Sequence, residues 1–364
     1  MLKRLALLLL LAPLAWGCDD DPVDPGPVDR PFHQGSESDP RIGLVVNTLS
    51  NSLQLFQLGD PSQVREVALG ASSAVTATGV ATAAEAVAVP LGNAASVALI
   101  DPTTLRIDRF FLFPSGNATG AAFTNDGALL LANLLDDQVG RVTLDQSSDA
   151  IEALVDVAPG PTDIEIAGER ALVLSGNLDD SFLPIGPGIV TAIDPTTLEV
   201  LGTVETGGEN PTASAVGPDG LLYVLNTGDY VSPATIAVID PSTLERIDLI
   251  EGAGVGPGAL TIDDQGLAYV SGFFLGTIIL DTTDRSWLRG PEDAVCAPLA
   301  GGGCRGAFDA AGAGDGRVYQ AFFGSPGEGL PPWIFVYEPD TWTLSDSIPT
   351  GQGPATVRIA VFDP

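Results

Sequence analysis

One turn recurs seven times, and its spacing constrains the fold more than any other feature of the chain. It reads Asp-Pro-Thr-Thr-Leu from Asp101 and from Asp194, and Asp-Pro-Ser-Thr-Leu from Asp240. Weaker copies begin at Asp60, Asp145, Asp281 and Glu338. Successive copies lie 41, 44, 49, 46, 41 and 57 residues apart. The leading Asp can accept backbone hydrogen bonds within such a turn, and Pro stops a strand from continuing. A β-rich unit that repeats every ~40–50 residues points to small sheets set radially about an axis rather than to a sandwich.

The stretch from Asn210 to Glu251 shows the unit in full. Thr212 to Val216 reads as a short strand, and Gly217-Pro218-Asp219-Gly220 as a tight turn. Leu221 to Leu225 is continuously apolar, as in a strand covered on both faces. After a polar loop, Thr235 to Ile239 is a third strand, and Leu244 to Ile250 alternates like a half-exposed outer one. The first turn recurs at Asn125-Asp126-Gly127, Gln265-Gly266 and Asp315-Gly316. Residues 72 to 90 are Ala-rich, but their Thr and Val and their place before Asp101 predict two strands of the second unit.

The chain ends complete the count. Only Gly43 to Val46 and Ser52 to Leu58 precede the first turn, so the first unit lacks its innermost strand. Ala355 to Phe362 is a spare strand at the other end. Pairing the two closes a ring and leaves no open sheet edge. The expected fold is all-β: a single seven-bladed β-propeller of four-stranded antiparallel blades, closed by the C-terminal strand.

The repeats resemble those of YVTN-type, or YncE-like, seven-bladed propeller proteins. The resemblance rests on Asn210-Pro211-Thr212, Pro218-Asp219-Gly220, Tyr223-Val224-Leu225-Asn226 and Ile239-Asp240-Pro241-Ser242-Thr243. Leu44-Val45-Val46-Asn47 and Leu130-Leu131-Ala132-Asn133 repeat the strand end, and Tyr269-Val270-Ser271-Gly272 keeps half of it. The resemblance covers about residues 42 to 364. It implies a fold and leaves the activity open, because propellers carry many unrelated functions.

Residues 1–17 read as an export signal, with Lys3 and Arg4 before the apolar run Leu5 to Leu14. Leu14-Ala15-Trp16-Gly17-Cys18 resembles a bacterial lipoprotein cleavage box, so Cys18 is the expected lipidation site. Residues 18–41 are acidic and Pro-rich and are expected to form an extended tether, with His33 inside it. The propeller domain is then 42–364. These features place the protein in the cell envelope, exported and held to a bacterial membrane by its lipid alone, facing the periplasm or the cell surface. Net charge is −32, and the only lysine is Lys3. Such acidity excludes nucleic acid as a partner and disfavours anionic headgroups. A monomer is expected.

With Cys18 lipidated, Cys296 and Cys304 form an even pair in an oxidising compartment, and a disulfide is expected. A metal pair is the alternative, but no His or further Cys completes a site. Catalytic groups are few. With His33 in the tether, the propeller would have no histidine for a Ser-His-Asp triad, and no Lys for a Schiff base. No phosphate-binding Gly loop leads from a strand into a helix.

Propeller topology places the second-to-third-strand loops, and the connections between blades, on one face. There Asn133, Asp136, Asp137, Asn177, Asp179, Asp180, Asn226 and Asp229 could hold a hard cation such as Ca²⁺. Asn and Asp at strand ends equally serve to satisfy turn backbone. Phe273, Phe274, Phe322, Phe323 and Trp333 fall at strand ends on the same face, near the Gly324 to Pro332 loop and an insertion from Ser286 to Gly306. They form either inter-blade packing or an apolar recognition surface. The function these features favour is a noncatalytic lipoprotein binding a protein, peptide or glycan on this face. The alternative is a metal-dependent hydrolase or lactonase at the channel mouth.

Overall fold

The computed structural model describes residues 30–72, 74–297, 305–324 and 329–362. The expected export signal, Cys18, Cys304 and part of the Gly324 to Pro332 loop lie outside the described residues. Pro31–Pro364 is one compact unit. Its strands form seven four-stranded antiparallel sheets, the blades of a propeller, and no α-helix occurs among the described residues.

Blade five matches the reading of its sequence. Its strands are Pro211–Val216, Leu222–Asn226, Thr235–Asp240 and Glu245–Ile250, from the channel outward. The second strand is buried along its whole length because both faces meet neighbouring blades. Its Tyr223 donates to Asp219 of the Pro-Asp-Gly turn at 2.8 Å, and Tyr269 donates to Asp263 at 2.9 Å one blade on. A buried tyrosine hydroxyl needs such a partner. Gly127, Gly220, Gly266 and Gly316 take φ of 79°, 78°, 84° and 83° in the corresponding turns, a region open chiefly to Gly. In blade two, the Ala-rich stretch forms strands at Ala81–Ala83 and Ala86–Pro90.

The Asp-headed turns behave as read, with one addition. Asp194 accepts from the Thr196 and Thr197 amides at 2.8 Å each, and Asp240 from the Ser242 amide at 2.8 Å. In five of the seven turns the fifth residue is left-handed although it is not Gly: Leu105, Leu198, Leu244, Arg285 and Trp342 have φ between 53° and 61°. Next to each, the pairing of third and outer strands shifts register. A left-handed L-residue costs roughly 1–2 kcal/mol. Packing of Leu105, Leu198, Leu244 and Trp342 against the blade cores offsets it.

Stability resides at the junctions between blades. Seven apolar clusters fill the seven junctions; Val45, Phe56, Tyr319, Ile334 and Val357 form the one that joins blade seven to blade one. A side-chain hydrogen bond also crosses each junction. Five are hydroxyl-to-carbonyl bonds: Thr48 to Ala77 (3.0 Å), Thr78 to Thr119 (2.9 Å), Thr119 to Pro161 (2.9 Å), Thr227 to Pro257 (2.7 Å) and Thr261 to Ala310 (2.6 Å). The other two use carboxylates. Asp163 accepts from Ser214 Oγ at 2.9 Å, and Asp309 from the Val357 amide at 3.0 Å. The closing strand is Pro354–Ala360, antiparallel to Ile42–Asn47, with Val45 opposite Val357.

Two expectations need correction. Pro31–Arg41 is not tether but packs on the propeller: His33 and Asp39 are buried, and Phe32 rests on the blade-one core beneath Arg65. Arg41 bonds the Ala313 carbonyl and pairs with Asp39 and Asp315, and Arg317 joins the same carboxylates. The pattern missed this because its few apolar and charged residues act singly, without periodicity. In addition, Ser286–Arg289 is the outer strand of blade six, so the insertion starts after it. Trp287 there donates to the Glu251 carbonyl at 2.9 Å.

Candidate functional site

The two faces of the ring differ in chemistry. Inner-to-second and third-to-outer turns form one face, and Pro31–Arg41 lies on it through its bonds to the 313–317 turn. Outer strands aside, Val361 is its one exposed large apolar residue among those described. The other face carries the second-to-third loops and the blade connections, and apolar side chains project from most of its loop tips. Leu49 projects from blade one, Leu135 from blade three, Phe182, Leu183 and Ile185 from blade four, and Tyr230 and Val231 from blade five. In blade six Phe273 is 50% exposed and Phe274 90%.

The five aromatic residues singled out in the sequence divide. Phe322 is buried, stacked on Phe335 at 5.5 Å and covered by Arg305, and Trp333 packs into the same core; these two belong to the junction. Phe273, Phe274 and Phe323 remain at the surface, joined by Phe308, which the sequence reading missed. Ring centroids run Phe274–Phe273 at 4.9 Å, Phe273–Phe308 at 5.8 Å and Phe308–Phe323 at 4.5 Å. Gly353 separates Phe323 from Leu49, and any side chain there would strike both. The apolar ladder therefore spans blades six, seven and one. Phe308 follows the cysteine-bearing insertion and has no marker in its own sequence, since only the packing of blade seven on blade six brings it beside Phe273 and Phe323. Cys296 is disulfide-bonded, and Cys304 lies outside the described residues.

Carboxylates stand among these apolar tips. Asp136, Asp137, Asp179, Asp180, Glu209 and Asp229 lie on the loops of blades three to five, and Glu251, Glu292 and Asp293 on the next two connections. Among the described residues, Arg305 is the only basic one within the loops of this face. Most of the eight residues considered as cation ligands serve their own loops. Asn133 is fully buried, accepts from the Asn117 amide at 2.9 Å and donates to the Ser115 carbonyl at 3.0 Å and to Asp136 at 3.1 Å. Asn226 sits against Gly208 as Asn133 does against Gly116, so the strand-end Asn locks the preceding blade connection, where a side chain would collide. Asp137 accepts from the Gly160 amide, Asn177 donates to the Pro187 carbonyl, and Asp179 accepts from the Ser181 and Leu183 amides. Amides of Ser232 and Val231 hold the Asp229 carboxyl below its ordinary pKa. Asp180 stands exposed at its loop tip. The eight are spread over three blades, and among the described residues no three His, Cys, Asp or Glu side chains are grouped to hold a metal ion.

The central channel opens on the loop-rich face as a cavity of about 280 Å³ that touches all seven blades, with Phe308 at its rim. Thr78, Thr119, Thr162, Thr212 and Thr356 line it, with Asp163, Asp309 and Arg358. Arg358 also borders a cavity of about 300 Å³ on the opposite face, so it stands between the two. It donates to Asp309 at 2.6 Å. Burial raises the Asp309 carboxyl pKa despite that partner. Glu165, two residues along the inner strand from Asp163, is raised well above the ordinary range by burial and then by Asp163, with Arg358 opposing. The channel thus holds charges fixed by one another.

Neither a protein-family model nor any curated protein matches the sequence. Solved structures do: the fold is similar to a chain of Kuenenia stuttgartiensis hydrazine synthase, at 15% identity and TM-score 0.62, over 79% of this chain and 90% of that one. In all, 1557 solved chains match, as expected of an architecture shared by many functions. These likenesses establish the class, a seven-bladed β-propeller.

Proposed function

We propose that this is a noncatalytic binding protein of the cell envelope that engages a partner through its loop-rich face. The observation that carries the reading is the crowding of exposed apolar side chains on that one face. Monomeric proteins seldom present contiguous apolar patches of this kind without using them. The Leu14 to Cys18 box supports export and lipid anchoring at Cys18, and the repeat pattern supports kinship with YVTN-type propellers. Protein, peptide and glycan are the partner classes in view.

The test is capture from envelope extract with the 31–364 domain and with its Phe273→Ser, Phe274→Ser variant. A discrete partner retained by the first and lost by the second is expected. No retained partner, together with an enzymatic activity of the purified domain, would overturn the reading. The second reading, a metal-dependent hydrolase or lactonase at the channel mouth, draws on the loop Asn and Asp residues, which the fold spreads over three blades. It requires a bound divalent cation, so metal analysis and melting with added Ca²⁺ or chelator decide it.

A further inference from the structure

Resting on the binding reading, we infer that the partner of the loop-rich face is a cationic polypeptide segment carrying apolar side chains. Two features alternate on blades three to five. Leu135 precedes Asp136 and Asp137, Asp179 and Asp180 precede Phe182 and Leu183, and Asp229 precedes Tyr230 and Val231. Each tip therefore offers apolar surface beside an uncompensated negative charge. Of the nine carboxylates named on this face, Asp293 is paired to Arg289 at 3.2 Å, which leaves eight against Arg305 among the described loop residues. Burying the apolar tips drives association, and the charge decides what can approach.

Other occupants fit less well. A second copy would bring one set of carboxylates against another, and like-charge juxtaposition opposes that. An anionic bilayer meets the same repulsion. Moreover, Pro31–Arg41 packs on the opposite face, through Arg41 and Asp315, and does not cover this one. A neutral glycan could bond the tip carboxylates, but it would gain nothing from their net charge and would leave Leu135, Leu183 and Val231 without apolar cover. A polypeptide with Lys or Arg beside Leu or Phe satisfies both features.

The probe is a synthetic peptide of alternating Lys and Leu, compared with its Glu-for-Lys counterpart, a neutral oligosaccharide and phosphatidylglycerol vesicles, titrated by calorimetry against the 31–364 domain. The Lys/Leu peptide alone should bind, with affinity falling as salt rises. Phe273→Ser with Phe274→Ser, and separately Asp180→Asn with Asp229→Asn, should each weaken it about tenfold or more. Glu199→Gln with Glu245→Gln, on the opposite side of the ring, should leave it unchanged. Equal loss in every variant, or none, would mean diffuse attraction to an acidic protein and would overturn the inference, as would binding of the vesicle or the oligosaccharide in its place. A partner captured from envelope at this face while the Lys/Leu peptide fails to bind would refute the chemistry named here and leave the binding reading standing. Failure of both would refute both.

Discussion

Removing Ala355 to Pro364 is predicted to cost the propeller most of its stability, not merely a frayed end. Six residue pairs join the closing strand to Ile42–Asn47, and five of them, all but Asn47–Pro354, go with the deleted residues. At about 1 kcal/mol net for each ladder bond lost, this is about 5 kcal/mol. Val357 and Phe362 leave two apolar clusters, at about 2 kcal/mol each. The sum, about 9 kcal/mol, is comparable to the whole stability of an ordinary domain. Asp309 would in addition lose Arg358 and the Val357 amide, a further cost. With an unfolding entropy of about 2.1 cal/mol/K per residue over ~330 residues, about 9 kcal/mol corresponds to a drop of about 13 °C, or to loss of a cooperative transition. Val357→Ala keeps the ladder and creates only a small cavity, so about 2 kcal/mol and 3 °C are expected. Calorimetric melting of the 31–364 domain, the truncation and the point variant measures both. A truncated protein with unchanged midpoint and cooperativity would refute the closure as a source of stability.

Other outcomes follow from single residues. Gly116→Ala places a side chain at φ 99° and onto Asn133, so a loss above about 2 kcal/mol is expected in chemical denaturation, whereas Gly127→Ala, with open space around it, should lose about 1 kcal/mol from φ alone. Glu165 and Asp309 have raised pKa values when folded, so they bind protons more readily in the native state; their contribution favours folding at low pH and declines as pH rises through the raised values. Glu165→Gln should therefore raise the melting temperature at pH 7 and shrink the gain seen on mild acidification. Asp315 behaves oppositely: burial alone would raise it, but bonds from Arg317 and Arg41 pull it to about 2, so its stabilisation is full above the ordinary carboxylate range and is lost as pH falls toward 2. Asp315→Asn should thus flatten the acid limb of the melting profile. Reduction of the Cys296 disulfide should loosen the insertion while the propeller melts as before, and mass spectrometry of non-reduced peptides should identify Cys304 as the partner.

The architecture was legible because the repeat is written locally. Each Asp-headed turn and each Asp-Gly hairpin carries its own conformational demand, and seven of them count the blades. The left-handed Leu at the fifth turn position was not legible, because its conformation is imposed by packing that Leu244 makes only when the blades assemble. The strand-end Asn could be read two ways from sequence; the close approach of Gly116 and Gly208 is what assigns it to the blade connections. Phe308 was missed and Phe322 overvalued for the same reason: adjacency in a strand end does not say which ring faces the junction and which the surface. The fold of Pro31–Arg41 onto the ring depended on pairing with Asp315 and Arg317, nearly a full chain length away.

The binding account is tested most directly by photo-crosslinking in the native cell, with a photoreactive residue in place of Phe274 and, separately, of Thr243 on the opposite face. The account predicts one discrete adduct from position 274 and none from 243. An adduct from 243 alone, or none from either while the protein is present at its normal level, would contradict it.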